Sequence, residues 1–316
     1  MKRAANVRPV AAKAAKAERQ DGAWVLGHAS GAGFSRRYRL FRPAGFGSSE
    51  RLPMLVMLHG CGQNAQGFAA STRMNALATK HRFLVLYPEQ DRIANSQGCW
   101  NWFETRSGRA FVEAASIVQT IDQVQRLYPV DPQRVALAGF SAGASLAGLV
   151  ALRYPDRFTA VCMHSGVAPG AAESSATAVS AMRGRRESAG LGATAALPPL
   201  LVVQGSDDRV VAPTNAGCVA RLWAQAAGVV AGAPRRLQRG RRYPMTVTDF
   251  GPRTRPLVSL CEVSGLGHAW SGGAAREPHS DPSGPDAARL VVAFVARGWK
   301  QAPRLVASAW ARALTS

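Results

Sequence analysis

The sequence predicts an α/β fold, a mostly parallel central sheet with helices on both faces, and two observations carry that prediction. Short apolar runs rich in β-branched and aromatic residues recur along the chain, and helical patterns separate several of them. The pentapeptide Gly139-Phe140-Ser141-Ala142-Gly143 directly follows one of those runs and precedes a helical pattern. A strand, a tight small-residue turn and a helix in that order belong to open sheets whose chemistry lies beyond the carboxyl ends of the strands.

The runs read as strands are Tyr38 to Phe41, Met54 to Leu58, Phe83 to Tyr87, Arg134 to Ala138, Ala160 to Met163, Leu200 to Val203 and Leu257 to Val263. A further strand at Met245 to Phe250 pairs with the last run if Gly251-Pro252 turns the chain. Helical spacing of Phe111, Ala114, Ala115, Val118, Ile121, Val124 and Leu127 predicts a helix that stops at Tyr128-Pro129. Ala144 to Leu152, Cys218 to Ala227 and Asp286 to Arg297 read as three more. Residues 165–198, rich in Ala, Ser and Gly, fit no strand pattern and read as a cap over the site or as disorder. The expected organisation is a basic mobile tail over 1–24, one catalytic domain over 25–299 and a C-terminal tail over 300–316.

The 316 residues carry 39 basic and 19 acidic side chains, a net charge of +20. The excess sits in two places. Residues 1–42 hold ten basic and two acidic groups, and residues 181–255 hold twelve and four. Within the second region Arg235, Arg236, Arg239, Arg241 and Arg242 form a basic loop, the candidate contact for a polyanion. The basic segments lack interleaved aromatics that would stack on bases, so nucleic acid is not the expected partner. A polyanion- or membrane-surface binder built on this α/β scaffold is the alternative from another class, with Lys13 and Lys16 in its charged tail. No run is long enough to span a bilayer, and residues 1–23 lack the apolar middle of a secretory leader.

Cys61, Cys99, Cys162, Cys218 and Cys261 show neither C-x-x-C nor Cys/His ligand spacing, which argues against a metal site. Cys162 and Cys261 lie in strand runs as small core residues. Cys61 and Cys99 each follow a strand and are the candidate disulfide pair.

A serine nucleophile needs a base, the base needs an orienting carboxylate, and the oxyanion needs backbone donors. Ser141 in its elbow is the nucleophile. The loop after Leu200 to Val203 offers Asp207 and Asp208, and the loop after the Leu257 run offers the glycine-flanked His268. Ser, Asp, His is the chain order of an α/β-hydrolase. The expected oxyanion donors are the N–H of Ala142 and one from His59-Gly60-Cys61-Gly62, with Cys61 preferred; His59 reads as structural. Trp100, Trp102, Phe103 and Trp270 flank motifs at strand ends. Trp102 and Phe103 read as core, and Trp270, with Trp100, as a wall of the substrate cleft.

Five motifs, Leu58-His59-Gly60-Cys61, Thr72-Arg73-Met74-Asn75-Ala76-Leu77-Ala78, Cys99-Trp100-Asn101-Trp102-Phe103, Gly139-Phe140-Ser141-Ala142-Gly143 and Gly267-His268-Ala269-Trp270-Ser271-Gly272-Gly273, together resemble the esterase family of polyhydroxybutyrate depolymerases. The similarity covers about residues 36 to 298. It implies an α/β-hydrolase fold, Ser141 as nucleophile, His268 as base and, through a G-x-x-D-x-x-V pattern from Gly205 to Val211, Asp208 as the acid. It implies no cofactor and a polymeric or oligomeric ester, or amide, as substrate. Relatives in that family include polyester depolymerases, feruloyl and acetyl-xylan type esterases and a poly(aspartic acid) hydrolase. An acidic polymer would exploit the arginines, and a neutral polyester would not. The family's extracellular or periplasmic setting is expected to carry a leader that this sequence does not show, which leaves the compartment open.

Overall fold

A computed structural model describes residues 22–31, 34–45, 47, 50–188, 190 and 196–302 of the chain. Twelve strands are present among them: β1 (Ala23–Gly31), β2 (Phe34–Arg42), β3 (Leu52–Leu58), β4 (Leu84–Pro88), β5 (Val130–Phe140), β6 (Val161–His164), β7 (Leu200–Gly205), β8 (Arg235–Leu237), β9 (Met245–Phe250), β10 (Val258–Val263), β11 (Trp270–Ser271) and β12 (Ser280–Asp281). The seven helices are α1 (Ala65–Thr72), α2 (Met74–His81), α3 (Arg109–Leu127), α4 (Ala142–Arg153), α5 (Ser175–Met182), α6 (Thr214–Ala226) and α7 (Ala287–Gln301).

Ten strands form one sheet in the order β1-β2-β4-β3-β5-β6-β7-β10-β9-β8. The six central strands, β4 to β10, run parallel, and an antiparallel pair flanks them on each side. The central strands are apolar on both faces because both faces are covered. In β3, Met54, Val56 and Leu58 pack into one core layer while Leu55 and Met57 pack into the other, and all five are fully buried. Each such side chain contributes about 1.5–3 kcal/mol of burial. The first layer holds the apolar faces of α3, α4 and α6; the second holds those of α1, α2 and α7.

Side-chain caps set where several helices begin. Asn64 Oδ1 accepts the N–H of Gly67 at the start of α1, and Asp286 Oδ1 accepts that of Arg289 at the start of α7. Ser174 and Thr177 form a reciprocal capping box on α5. Residues 165–198 therefore contain a helix rather than only irregular chain.

Two boundaries differ from expectation. Ala23 and Trp24 belong to β1, where Trp24 packs on Phe41 and Tyr87, and Lys300 continues α7 to Gln301. The rest of the basic tail, residues 1–21, and residues 303–316 lie outside the described residues. Among the described residues no helix is long and apolar enough to cross a membrane.

Candidate active site

The turn between β5 and α4 forces Ser141 into the left-handed region at φ 55°. A non-glycine residue holds that conformation only where its surroundings over-determine it. Here the Ser141 N–H is bonded to the carbonyl of His164 at 2.9 Å, and a Cβ at Gly139 or Gly143 would fall 2.2 Å from a backbone carbonyl oxygen. Small neighbours let the chain turn this sharply and lift the hydroxyl off the sheet.

His268 arrives on the loop after β10. Its Nε2 lies 2.9 Å from Ser141 Oγ, and its Nδ1 lies 2.8 Å from Asp208 Oδ2. With the proton on Nδ1, donated to Asp208, Nε2 is free to accept the serine hydroxyl proton. Asp208 is fully engaged: Oδ1 accepts the N–H groups of Val210 and Val211 at 2.9 and 2.8 Å, and Gln204 Nε2 donates to Oδ2 at 3.0 Å. Burial by itself pushes this carboxyl up, but the hydrogen bond and charge of His268 and the two amides outweigh it and hold it below its ordinary range. Asp208 is thus ionised wherever His268 must be oriented. Asp207 is exposed, accepts a hydrogen bond from Ser206 Oγ at 2.7 Å and does not reach His268.

Cys61 and Cys99 are joined in a disulfide that borders the serine. No backbone or side-chain acceptor takes the N–H of Cys61 or of Ala142 among the described residues, while the adjacent Gly60, Gly62 and Gln63 amides are bonded internally. Both residues line the same cavity as Ser141. The arrangement leaves two amides for an oxyanion, one of them at the positive start of α4.

The loop carrying Cys99 is held from beneath. Buried Arg36 donates to the Glu89 carbonyl, Gln90 Oε1 and Ser116 Oγ, and buried Glu113 accepts from Gln90 and from the backbone and side chain of Asn101. The Arg36 guanidinium lies 4.9 Å over the ring of Trp100, whose Nε1 donates to the His59 carbonyl. His59 is itself buried and accepts the Gln90 N–H at Nε2, 3.1 Å away, in the structural place expected of it.

Trp100 is consequently not a cleft wall; its ring is fully buried under the loop that carries His59 and Cys61. Trp270 is not one either. It is 1% exposed, wedged between Phe68, Phe140 and His164, because β11 turns its side chain into the second core layer. The aromatic wall is instead Trp102 and Phe103, in edge contact at 5.5 Å. They bound a cavity of about 340 Å³ over Ser141, closed opposite by Ala178, Val179 and Met182 of α5. Among the described residues no charged side chain lines it. Sequence reasoning missed α5 and also His164, although His164 stands at a strand end, where functional groups collect.

The basic loop does not reach this cavity. Arg235 and Arg236 lie on β8, the outermost strand, five positions from β5, or about 24 Å at ordinary strand spacing. Arg235 pairs with Asp249, and Arg242 donates to the carbonyls of Pro282 and Gly284. Arg236, Arg239 and Arg241 are exposed. A charged outer strand discourages edge-to-edge pairing, which gives these arginines a role without a polyanion.

Fold and site together define the class: an α/β-hydrolase fold bearing an assembled Ser-His-Asp relay. The chain belongs to the Esterase PHB depolymerase family, which its residues 36–243 match. That match includes Ser141 and Asp208; His268 is placed by the geometry. Among its relatives is poly(3-hydroxyalkanoate) depolymerase C of Paucimonas lemoignei, 31% identical over 247 residues, 73% of this chain and 58% of the relative. Feruloyl esterase B of Thermothelomyces thermophilus is 27% identical over 195 residues, 56% of this chain and 66% of that protein. The chain thus spans under two thirds of the length of these relatives. The structure of the acetyl xylan esterase from Aspergillus awamori shares the fold, with a TM-score of 0.64 at 19% identity over 86% of this chain and 99% of that one.

Proposed function

We propose that the protein hydrolyses esters of uncharged acyl groups through an acyl-enzyme on Ser141. The observation that carries this reading is an apolar cavity whose described lining holds no charged side chain, opening on a hydroxyl already bonded to its base. Ser141 Oγ attacks the ester carbonyl carbon as its proton passes to His268 Nε2. The resulting oxyanion is held by the N–H groups of Cys61 and Ala142. Collapse breaks the acyl–oxygen bond, and the alcohol leaves with the proton from His268. Water, deprotonated by His268, then attacks the acyl-enzyme and releases the acid.

Relationship to the Paucimonas lemoignei depolymerase favours a polyhydroxyalkanoate chain, a neutral polyester, as the substrate class. An acidic polymer such as poly(aspartic acid) would have to place carboxylates in a cavity that offers them no cation, at a desolvation cost of several kcal/mol each. A panel of 4-nitrophenyl butyrate, poly(3-hydroxybutyrate), methyl ferulate and poly(aspartate), assayed at low and high salt, tests this. Turnover of neutral esters that changes less than about twofold with salt is expected, with none on poly(aspartate). Poly(aspartate) turnover that falls steeply with added salt would contradict the reading and return the arginines to substrate binding.

A further inference from the structure

β6 ends on His164, and this one residue touches both the nucleophile's turn and the base's loop. Its carbonyl accepts the N–H of Ser141 at 2.9 Å. Its ring Nε2 accepts the N–H of Ser271, three residues past His268, at 3.1 Å. The ring is 2% exposed, stacks on Trp270 at 5.0 Å between centroids and meets Phe140 edge-on at 5.4 Å, while Phe140 also faces His268 at 5.1 Å. An acceptor at Nε2 requires the ring proton on Nδ1, where Ser165 Oγ lies 3.1 Å away. Ser165 is fully buried and left-handed at φ 56°, a conformation its surroundings must hold in place.

We propose that His164 is a positioning residue, a neutral imidazole that fixes the separation of Ser141 and His268 by binding the elbow through its carbonyl and the histidine loop through Nε2. The charged and titratable groups nearest it are His268 and Asp208. Burial first, then the charge of His268, push the His164 imidazole down to about 3, with Asp208 opposing. The ring therefore stays a neutral acceptor through the neutral and mildly acidic range. A protonated ring would point a donor at the Ser271 amide and break the connection.

The proposal rests on Ser141 being the nucleophile, so the test begins by labelling the wild-type protein with a fluorophosphonate. His164→Phe keeps the ring but loses the acceptor; His164→Gln keeps an acceptor but loses the ring. Folded His164→Phe is expected to show kcat and labelling rate reduced by about 10–100-fold with KM nearly unchanged, since small misplacement of reacting groups is costly. His164→Gln is expected to retain kcat within about fivefold, the effect of a restored hydrogen bond. Undiminished labelling in the Phe variant, a loss confined to KM, or equal losses in both variants would overturn the positioning role while leaving the nucleophile intact. Absence of wild-type labelling at Ser141 would overturn the functional reading and this proposal with it. If the Phe variant does not fold, the Gln variant decides alone: near wild-type kcat supports the role, and a folded protein with a hundredfold loss contradicts it.

Discussion

Replacing Asp208 by Asn is expected to lower kcat on a short-chain ester by about 10⁴-fold, with KM and the melting temperature changed far less. The carboxylate accepts from His268 Nδ1 through Oδ2 and from two backbone amides through Oδ1. Asn can keep the amide contacts through its carbonyl oxygen, which leaves its NH₂ facing Nδ1. The neutral imidazole then protonates at Nε2, and the nitrogen that should receive the Ser141 proton is already occupied. The neighbouring Gln204 Nε2, which donates to Oδ2, adds a second donor against that NH₂. Asp207→Asn is the control. Because Asp207 is exposed and bonded to Ser206, it is expected to stay within about twofold of wild type, as for other surface changes. Activity that falls further in Asp207→Asn than in Asp208→Asn would reassign the acid.

Lowering the pH from 7 to 5 is expected to cost about 4 kcal/mol of folding stability through two histidines. Burial pushes His59 down to about 4 and His164 to about 3. In the unfolded chain both titrate near 6.5. Above that value neither form holds the proton and the stability is fully present. Below it the unfolded chain takes up protons that the folded protein refuses, so each histidine costs about 1.4 kcal/mol per pH unit, down to its folded value. The melting temperature should fall by roughly 10 °C between pH 7 and 5, with about half that slope in His164→Gln. A melting temperature flat over that range, or an unchanged slope in the variant, would show that these rings are not held neutral.

The central strands were legible because burial on both faces leaves continuous apolar runs, as in Met54 to Leu58 and Leu200 to Val203. The elbow, the Asp207-Asp208 pair and His268 were legible for a related reason: each follows such a run, so its position above the sheet was implied, while the choice of Asp208 over Asp207 came from the family pattern Gly205 to Val211. β1 was not. Ala23–Gly31 is largely exposed, and its pairing with β2 fixes it more than its own composition does. Helix α5 is mostly Ala, Ser and Thr, a composition that mimics a linker, and its capping box uses Thr177 where a Glu or Gln is the usual sign.

The tryptophans show where sequence reasoning stops. Trp100, Trp102 and Trp270 all flank strand-end motifs, but which one faces the cleft depends on partners far away in the chain. Phe68 and His164 draw Trp270 inward. Arg36 and His59 hold Trp100 beneath the loop that carries Cys61, and the cleft is left to Trp102 with Phe103. The place of the basic loop was hidden for the same reason: Arg235 and Arg236 are visible in the sequence, but not that their strand is the outermost of the sheet.

On the proposed mechanism Ser141 carries the acyl group of a neutral ester between the two half-reactions. Mass spectrometry of protein quenched in acid during turnover of 4-nitrophenyl butyrate tests it most directly. A butyryl group on the peptide containing Ser141, absent from Ser141→Ala along with the ester hydrolysis, is the expected result. Undiminished hydrolysis by Ser141→Ala, or an acyl group found only on another residue, would contradict it.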